Sequence, residues 1–172
     1  MTTRTPAEQI AYRDLAVLEV LYATGCRGQE LCDMRFSHIS WNDKTARVHG
    51  KGNKDRIVIL TDRAIEAIKN VDDRWQDFDG EDRVFVTVTG RPMAIVNLRR
   101  IVHRAVRRGK LPSWTGLHTI RHSFATHMLE GGADVSEVSR LLGHESIATT
   151  GIYLHLSHKT LLRAHEKAHP RA

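Results

Sequence analysis

The sequence predicts a mainly α fold with one small antiparallel β-sheet, an α+β arrangement built as a single domain over residues 1–172. Three observations point to it. Apolar residues recur at helical spacing along most of the chain, and capping residues bracket those stretches. Paired strand signals around a turn occur in one place, between Thr45 and Leu60. With 41% apolar and 27% charged residues, the chain can bury one ordinary core and lacks the composition of a disordered polymer.

The elements follow in order. Thr5-Pro6-Ala7-Glu8 starts a helix, with Thr5 as N-cap, Pro6 in the first helical position and Glu8 closing a capping box. Leu15, Leu18, Leu21 and Tyr22 give it one apolar stripe until Thr24-Gly25 breaks it. Residues 27 to 35 resume helical character, and Ser37 to Asn42 is expected as a loop. Thr45 to Gly50 and Arg56 to Leu60 form a hairpin whose turn, Lys51-Gly52-Asn53-Lys54-Asp55, is basic. Thr61-Asp62 caps a helix carrying Ile65 and Ile68, and Val84 to Val88 reads as a further short strand. Residues 94 to 108 form the most basic helix, with Arg99, Arg100, Arg104, Arg107 and Arg108 around a stripe of Leu98, Ile101, Val102 and Ala105. A helix from Thr115 or Gly116 to Leu129 ends at Gly131-Gly132, and Asp134 with Glu137 caps the next, which stops at Gly143. Ser146 caps a short helix reaching Tyr153, and Lys159 to Lys167 makes a final amphipathic helix.

A net charge of +6 and a pI near 9.7 point to a polyanionic partner, with nucleic acid foremost. Cys26 and Cys32 form no CxxC pair, so neither a disulfide framework nor a thiolate zinc site is indicated, and a reducing, cytoplasmic compartment fits. No apolar run approaches the ~18 residues of a membrane span. His118 and His122 stand four apart as in zinc helices, but position 119 is Thr, so the HExxH glutamate is absent and no metal is expected.

The densest chemistry lies in Leu117-His118-Thr119-Ile120-Arg121-His122, followed by Leu142-Gly143-His144 and Tyr153. On a helix His118 and Arg121 share a face, where an imidazole and a planar guanidinium fork can act on one phosphate. A tyrosine offers an oxygen nucleophile once its proton has an acceptor. Taken singly, each residue reads more readily as core packing or a solvated charge.

Together these segments resemble the tyrosine recombinases, also called the phage integrase family, and most closely its Xer-type and integrase-like bacterial members. Ala23-Thr24-Gly25-Cys26-Arg27-Gly28-Gln29-Glu30-Leu31 is similar to the family's first arginine motif, and Gly50-Lys51-Gly52-Asn53-Lys54-Asp55-Arg56 to its hairpin lysine motif. His118 to Arg121 matches its HxxR motif, Leu141-Leu142-Gly143-His144 its LLGH box, and Thr149-Thr150-Gly151-Ile152-Tyr153 its nucleophile box.

The resemblance implies that Tyr153 attacks a DNA backbone phosphorus to form a 3′-phosphotyrosyl bond, without metal or ATP. It implies that Arg27 and Arg121 hold the non-bridging oxygens and that Lys51 protonates the departing 5′-oxygen. His118 would take or place the tyrosine proton, and His144 would donate to the phosphate. Glu30, one turn beyond Arg27, would orient a neighbouring basic group, and Arg99, Arg100, Arg104, Arg107 and Arg108 would touch DNA phosphates. The partner implied is double-stranded DNA, bound by a homo-tetramer of a protein that is monomeric when free. Most family members carry an N-terminal DNA-clamping domain, which is expected to be absent from a chain with only 26 residues before Arg27. Two alternatives stay open: a type IB topoisomerase, which reseals the original strand, and a DNA-binding relative without chemistry.

Overall fold

A computed structural model describes residues 4–50, 55–71, 82–143 and 158–171. Its elements are α1 (Pro6–Thr24), α2 (Gly28–Cys32), a 3₁₀ turn (Phe36–His38), β1 (Ile39–Ser40), β2 (Thr45–His49), β3 (Asp55–Ile59), α3 (Asp62–Lys69), α4 (Ile95–Arg108), α5 (Leu117–Glu130), α6 (Val135–Leu142) and α7 (His158–Ala168). The architecture is mainly helical with one three-stranded antiparallel sheet in the order β1-β2-β3.

Local chemistry accounts for most boundaries. The Thr5–Glu8 capping box opens α1, Thr61 caps α3 by accepting from the Ala64 amide, and the Asp134–Glu137 box opens α6. The hairpin register pairs Thr45 with Ile59 and His49 with Asp55. That register turns Ala46, Val48 and Val58 inward, onto a core shared with Val17 and Leu21 of α1, Ile65 and Ile68 of α3, and Leu98, Ile101 and Val102 of α4. A second cluster joins Phe124 and Met128 of α5 to Val138, Leu141 and Leu142 of α6, with Ile59 at its edge. α5 therefore lies between the two clusters and carries the HxxR segment along their junction.

Two expectations need correction. Val84 to Val88 is no strand, because its hydrogen bonds go to different segments on its two sides, each over too few residues to make a ladder. The Val84 amide donates to Met34, while the Phe85 carbonyl and the Thr87 amide meet Met93 and Arg91. Only isolated bridges result, one of them to Pro92, which has no amide to extend it. Ser37 to Asn42 is not simply a loop either. Ser40 Oγ donates to Asp43 at 2.6 Å, and the tight turn that follows, with Lys44 at φ 51°, folds Ile39–Ser40 back onto Thr45–Ala46 as β1. The expected helix from Ser146 to Tyr153 and the hairpin tip Lys51–Lys54 lie outside the described residues.

Candidate active site

α1 ends in a left-handed residue, Gly25, at φ 59°. A Cβ there would also stand 2.5 Å from Phe124 Cδ1, so glycine is required both by conformation and by packing. This break turns the chain directly into Arg27, the N-cap of α2. Glu30 folds back to accept from the Arg27 amide at 2.7 Å and from its Nη1 at 3.2 Å. The Arg27 side chain is still 42% exposed, so its guanidinium reaches solvent.

Glu30 itself is buried, and its main partner comes from the hairpin. Arg56 donates Nη1 and Nη2 to its two carboxylate oxygens at 2.5 and 2.8 Å, and Nε to the Leu141 carbonyl at 3.0 Å. Burial pushes the Glu30 carboxyl up, but the hydrogen bonds from Arg56 and Arg27 outweigh it and hold the group below the ordinary carboxylate range. Arg56 stacks under Gly143, the left-handed C-cap of α6, where a Cβ would meet its Cδ at 2.9 Å.

Arg121, on α5, closes the arrangement. Its Nη1 donates to the Gly25 carbonyl at 2.6 Å and its Nη2 to the Leu142 carbonyl at 2.7 Å. Burial, together with the charges of Arg27 and Arg56, lowers its pKa to about 10, so it stays protonated at neutral pH. Arg27 Nη2 lies 3.5 Å from the Gly143 carbonyl. Arg27 and Arg56 thus share one carboxylate, Arg121 joins them through the last carbonyls of α6, and the three guanidiniums from distant segments leave two positive charges in excess. The chain continues from Gly143 into His144.

The structure therefore brings Arg27, Glu30 and Arg121 together and places His118 one turn before Arg121 on α5, exposed. Lys51, His144 and Tyr153 lie outside the described residues. Arg99, Arg100, Arg107 and Arg108 are exposed and have no ion pair among the described residues, whereas Arg104 is paired with Asp14 of α1 at 2.5 Å. Cys26, beside Arg27, is a packing residue: burial raises its thiol to about 11, too high for a nucleophile.

Sequence reasoning missed Arg56 as a member of this cluster. The signal was there, since Arg56 shares the inward face of β3 with Val58, and a charge at such a position needs a carboxylate. It also missed His165 and His169. These stack at 4.6 Å and donate from Nε2 to the Ala23 and Tyr22 carbonyls at 2.9 and 3.1 Å, capping the last turn of α1 from α7 and the residue that follows it. Burial lowers the His165 pKa to about 4, and burial lowers that of His169 as well.

The unfolded chain takes up this proton near the ordinary 6.5, while folded His165 resists it until about 4. Between those values the unfolded state binds more protons, so stability is expected to fall on acidification by about 1.4 kcal/mol per pH unit for this one group. Urea midpoints measured across that window check this. His165→Gln, which keeps an N–H donor without a titrating ring, should flatten the dependence; equal slopes in the two proteins would refute it.

Residues 1–160 match the phage integrase family. Tyrosine recombinase XerC of Corynebacterium glutamicum is 45% identical over 166 residues, covering 96% of this chain and 54% of that protein. The crystal structure of XerA recombinase superposes with a TM-score of 0.70 at 28% identity, over all of this chain and 66% of that one. A structure of XerH site-specific recombinase bound to its difH substrate, in a pre-cleavage complex, gives a TM-score of 0.70 at 22% identity, over 85% of this chain and 42% of that one, a likeness of fold. The chain spans about half the length of the curated relatives it matches. Among the described residues, no helix is long and apolar enough to cross a membrane, and no group of three or more His, Cys, Asp and Glu is placed to hold a metal ion.

Proposed function

The chain belongs to the phage integrase family, and from that premise we propose that it is the single catalytic domain of a site-specific DNA recombinase, breaking and rejoining strands of double-stranded DNA. The observation that carries this reading is the convergence of Arg27, Arg56 and Arg121 on the end of α6 immediately before His144, with Arg27 and Arg56 held on the Glu30 carboxylate. Excess positive charge presented as planar donor forks suits a phosphodiester better than any neutral substrate.

In this reading the Tyr153 oxygen attacks a backbone phosphorus while the bond to the 5′-oxygen breaks. A 3′-phosphotyrosyl link and a free 5′-hydroxyl result. His118 takes the tyrosine proton, and Lys51 supplies one to the departing oxygen. Arg27 and Arg121 bind the non-bridging oxygens and His144 donates to the phosphate, stabilising the charge that grows in the transition state. Glu30 and Arg56 position Arg27 and Arg121 rather than touching the DNA. The phosphotyrosyl bond retains the energy of the phosphodiester, so a second 5′-hydroxyl can reverse the attack without ATP.

Arg99, Arg100, Arg107 and Arg108 hold flanking phosphates, with Arg104 contributing less because Asp14 already meets its charge. The free protein is a cytoplasmic monomer whose α7 folds back on its own α1, and protomers form a tetramer once DNA gathers them. Trapping the chain covalently on genomic DNA fragments and sequencing the junctions tests the whole reading. One defined site with protein on the 3′-end is expected; adducts on 5′-ends, or at random positions, would overturn it.

A further inference from the structure

Trp114 is the most exposed of the large apolar side chains in the described structure, at 74%, and Leu111, three residues earlier, is 54% exposed. They stand on the loop between α4 and α5, which is held in one shape. The Lys110 amide donates to the Arg107 carbonyl and the Leu111 amide to that of Val106, a paired helix stop that puts Lys110 in the left-handed region at φ 51°. Lysine there is strained where glycine would be free. The Thr115 amide then closes a turn on Pro112 at 2.9 Å.

The loop borders the arginine cluster. Leu117 packs on Gly28, next to Arg27, since a Cβ on Gly28 would meet Leu117 Cδ1 at 3.1 Å. Three Cα steps place Trp114 within ~11 Å of Leu117 along the chain. Arg107 and Arg108 in the last turn of α4 and Lys110 at the head of the same loop are all exposed. An exposed indole on a loop that begins with three cations matches a duplex, whose phosphates flank the apolar faces of its sugars.

We infer that Trp114, with Leu111 on the same loop, lies against the sugars of the DNA next to the scissile phosphate, while Arg107, Arg108 and Lys110 grip the neighbouring phosphates. The contact deepens the recombinase reading and rests on it: it fixes how far the strand sits from the arginines without reading a sequence through hydrogen bonds.

The test is titration of the full chain with a mixed-sequence DNA duplex over a range of salt. Trp114→Ala is expected to weaken binding by about tenfold with an unchanged salt slope, and Trp114→Phe to retain most of the affinity. Arg107→Ala should instead reduce the slope by about one. The emission lost between wild type and Trp114→Phe is expected to be quenched by the duplex. Because the side chain is exposed, circular dichroism should show each variant folded. Wild-type affinity in Trp114→Ala, or unquenched Trp114 emission, overturns the contact. So does unchanged affinity with lost self-association on DNA in sedimentation, which would assign the loop to a second copy of the chain. Failure of the recombinase reading shows differently: wild type forms no covalent adduct with DNA, while the Trp114 effects on binding persist.

Discussion

Glu30→Ala is expected to destabilise the chain by about 3–5 kcal/mol, a fall of roughly 10 °C in melting temperature for a chain of this size. The carboxylate is buried and receives both terminal nitrogens of Arg56, whose own side chain is only 13% exposed. Removing it leaves that guanidinium in the interior beside Arg121 with no counter-charge. Arg27 adds little to the loss, because its side chain reaches water. Glu30→Gln, which keeps the volume and one acceptor, should lose less. Thermal unfolding of the three proteins decides it: a Glu30→Ala melt within a degree or so of wild type would mean that the Arg56 charge is met elsewhere.

Arg121→Lys is the second large effect, and it should appear in rate. The substitution keeps a positive charge but not the fork that serves the Gly25 and Leu142 carbonyls at once. A lysine can satisfy one of them or turn to the phosphate, so the strand from α1 to Arg27 and the end of α6 lose their common tether. Strand cleavage is expected to slow by ~10²–10³, the size of losing one aligned donor at a developing charge, while duplex binding changes by a few fold at most. Single-turnover cleavage rates beside binding titrations measure both. A variant cleaving within a few fold of wild type would remove Arg121 from the phosphate.

How far the sequence revealed this fold depends on the range of the interaction concerned. α1, α3 and α6 were legible because their caps are written within four residues of one another, as in Thr5–Glu8 and Asp134–Glu137. The hairpin was legible from its turn. Val84 to Val88 misled because β-branched residues state a preference for extended backbone, and only the neighbours at Met34 and Arg91 decide whether a ladder forms. In the candidate site, Arg27, Arg121 and Glu30 stood in motifs, but the bond between Glu30 and Arg56 joins residues 26 positions apart: the alternation along β3 turns Arg56 inward without naming its partner. The roles of His165 and His169 were not legible, since their partners, the last carbonyls of α1, are backbone atoms that carry no letter in the sequence.

The central claim is that Tyr153 becomes covalently joined to DNA, and one gel measures it. A duplex nicked so that the released 5′ fragment diffuses away, labelled on the strand that keeps the scissile phosphate, is incubated with wild type and with Tyr153→Phe and run under denaturing conditions. Wild type is expected to shift the label into a protein-sized band that protease destroys, and Tyr153→Phe to give none while still binding the duplex with near-normal affinity, because only a hydroxyl is gone. A band of wild-type intensity from Tyr153→Phe would place the nucleophile elsewhere, and a wild-type protein that binds the duplex but never forms the band would contradict strand cleavage by this chain.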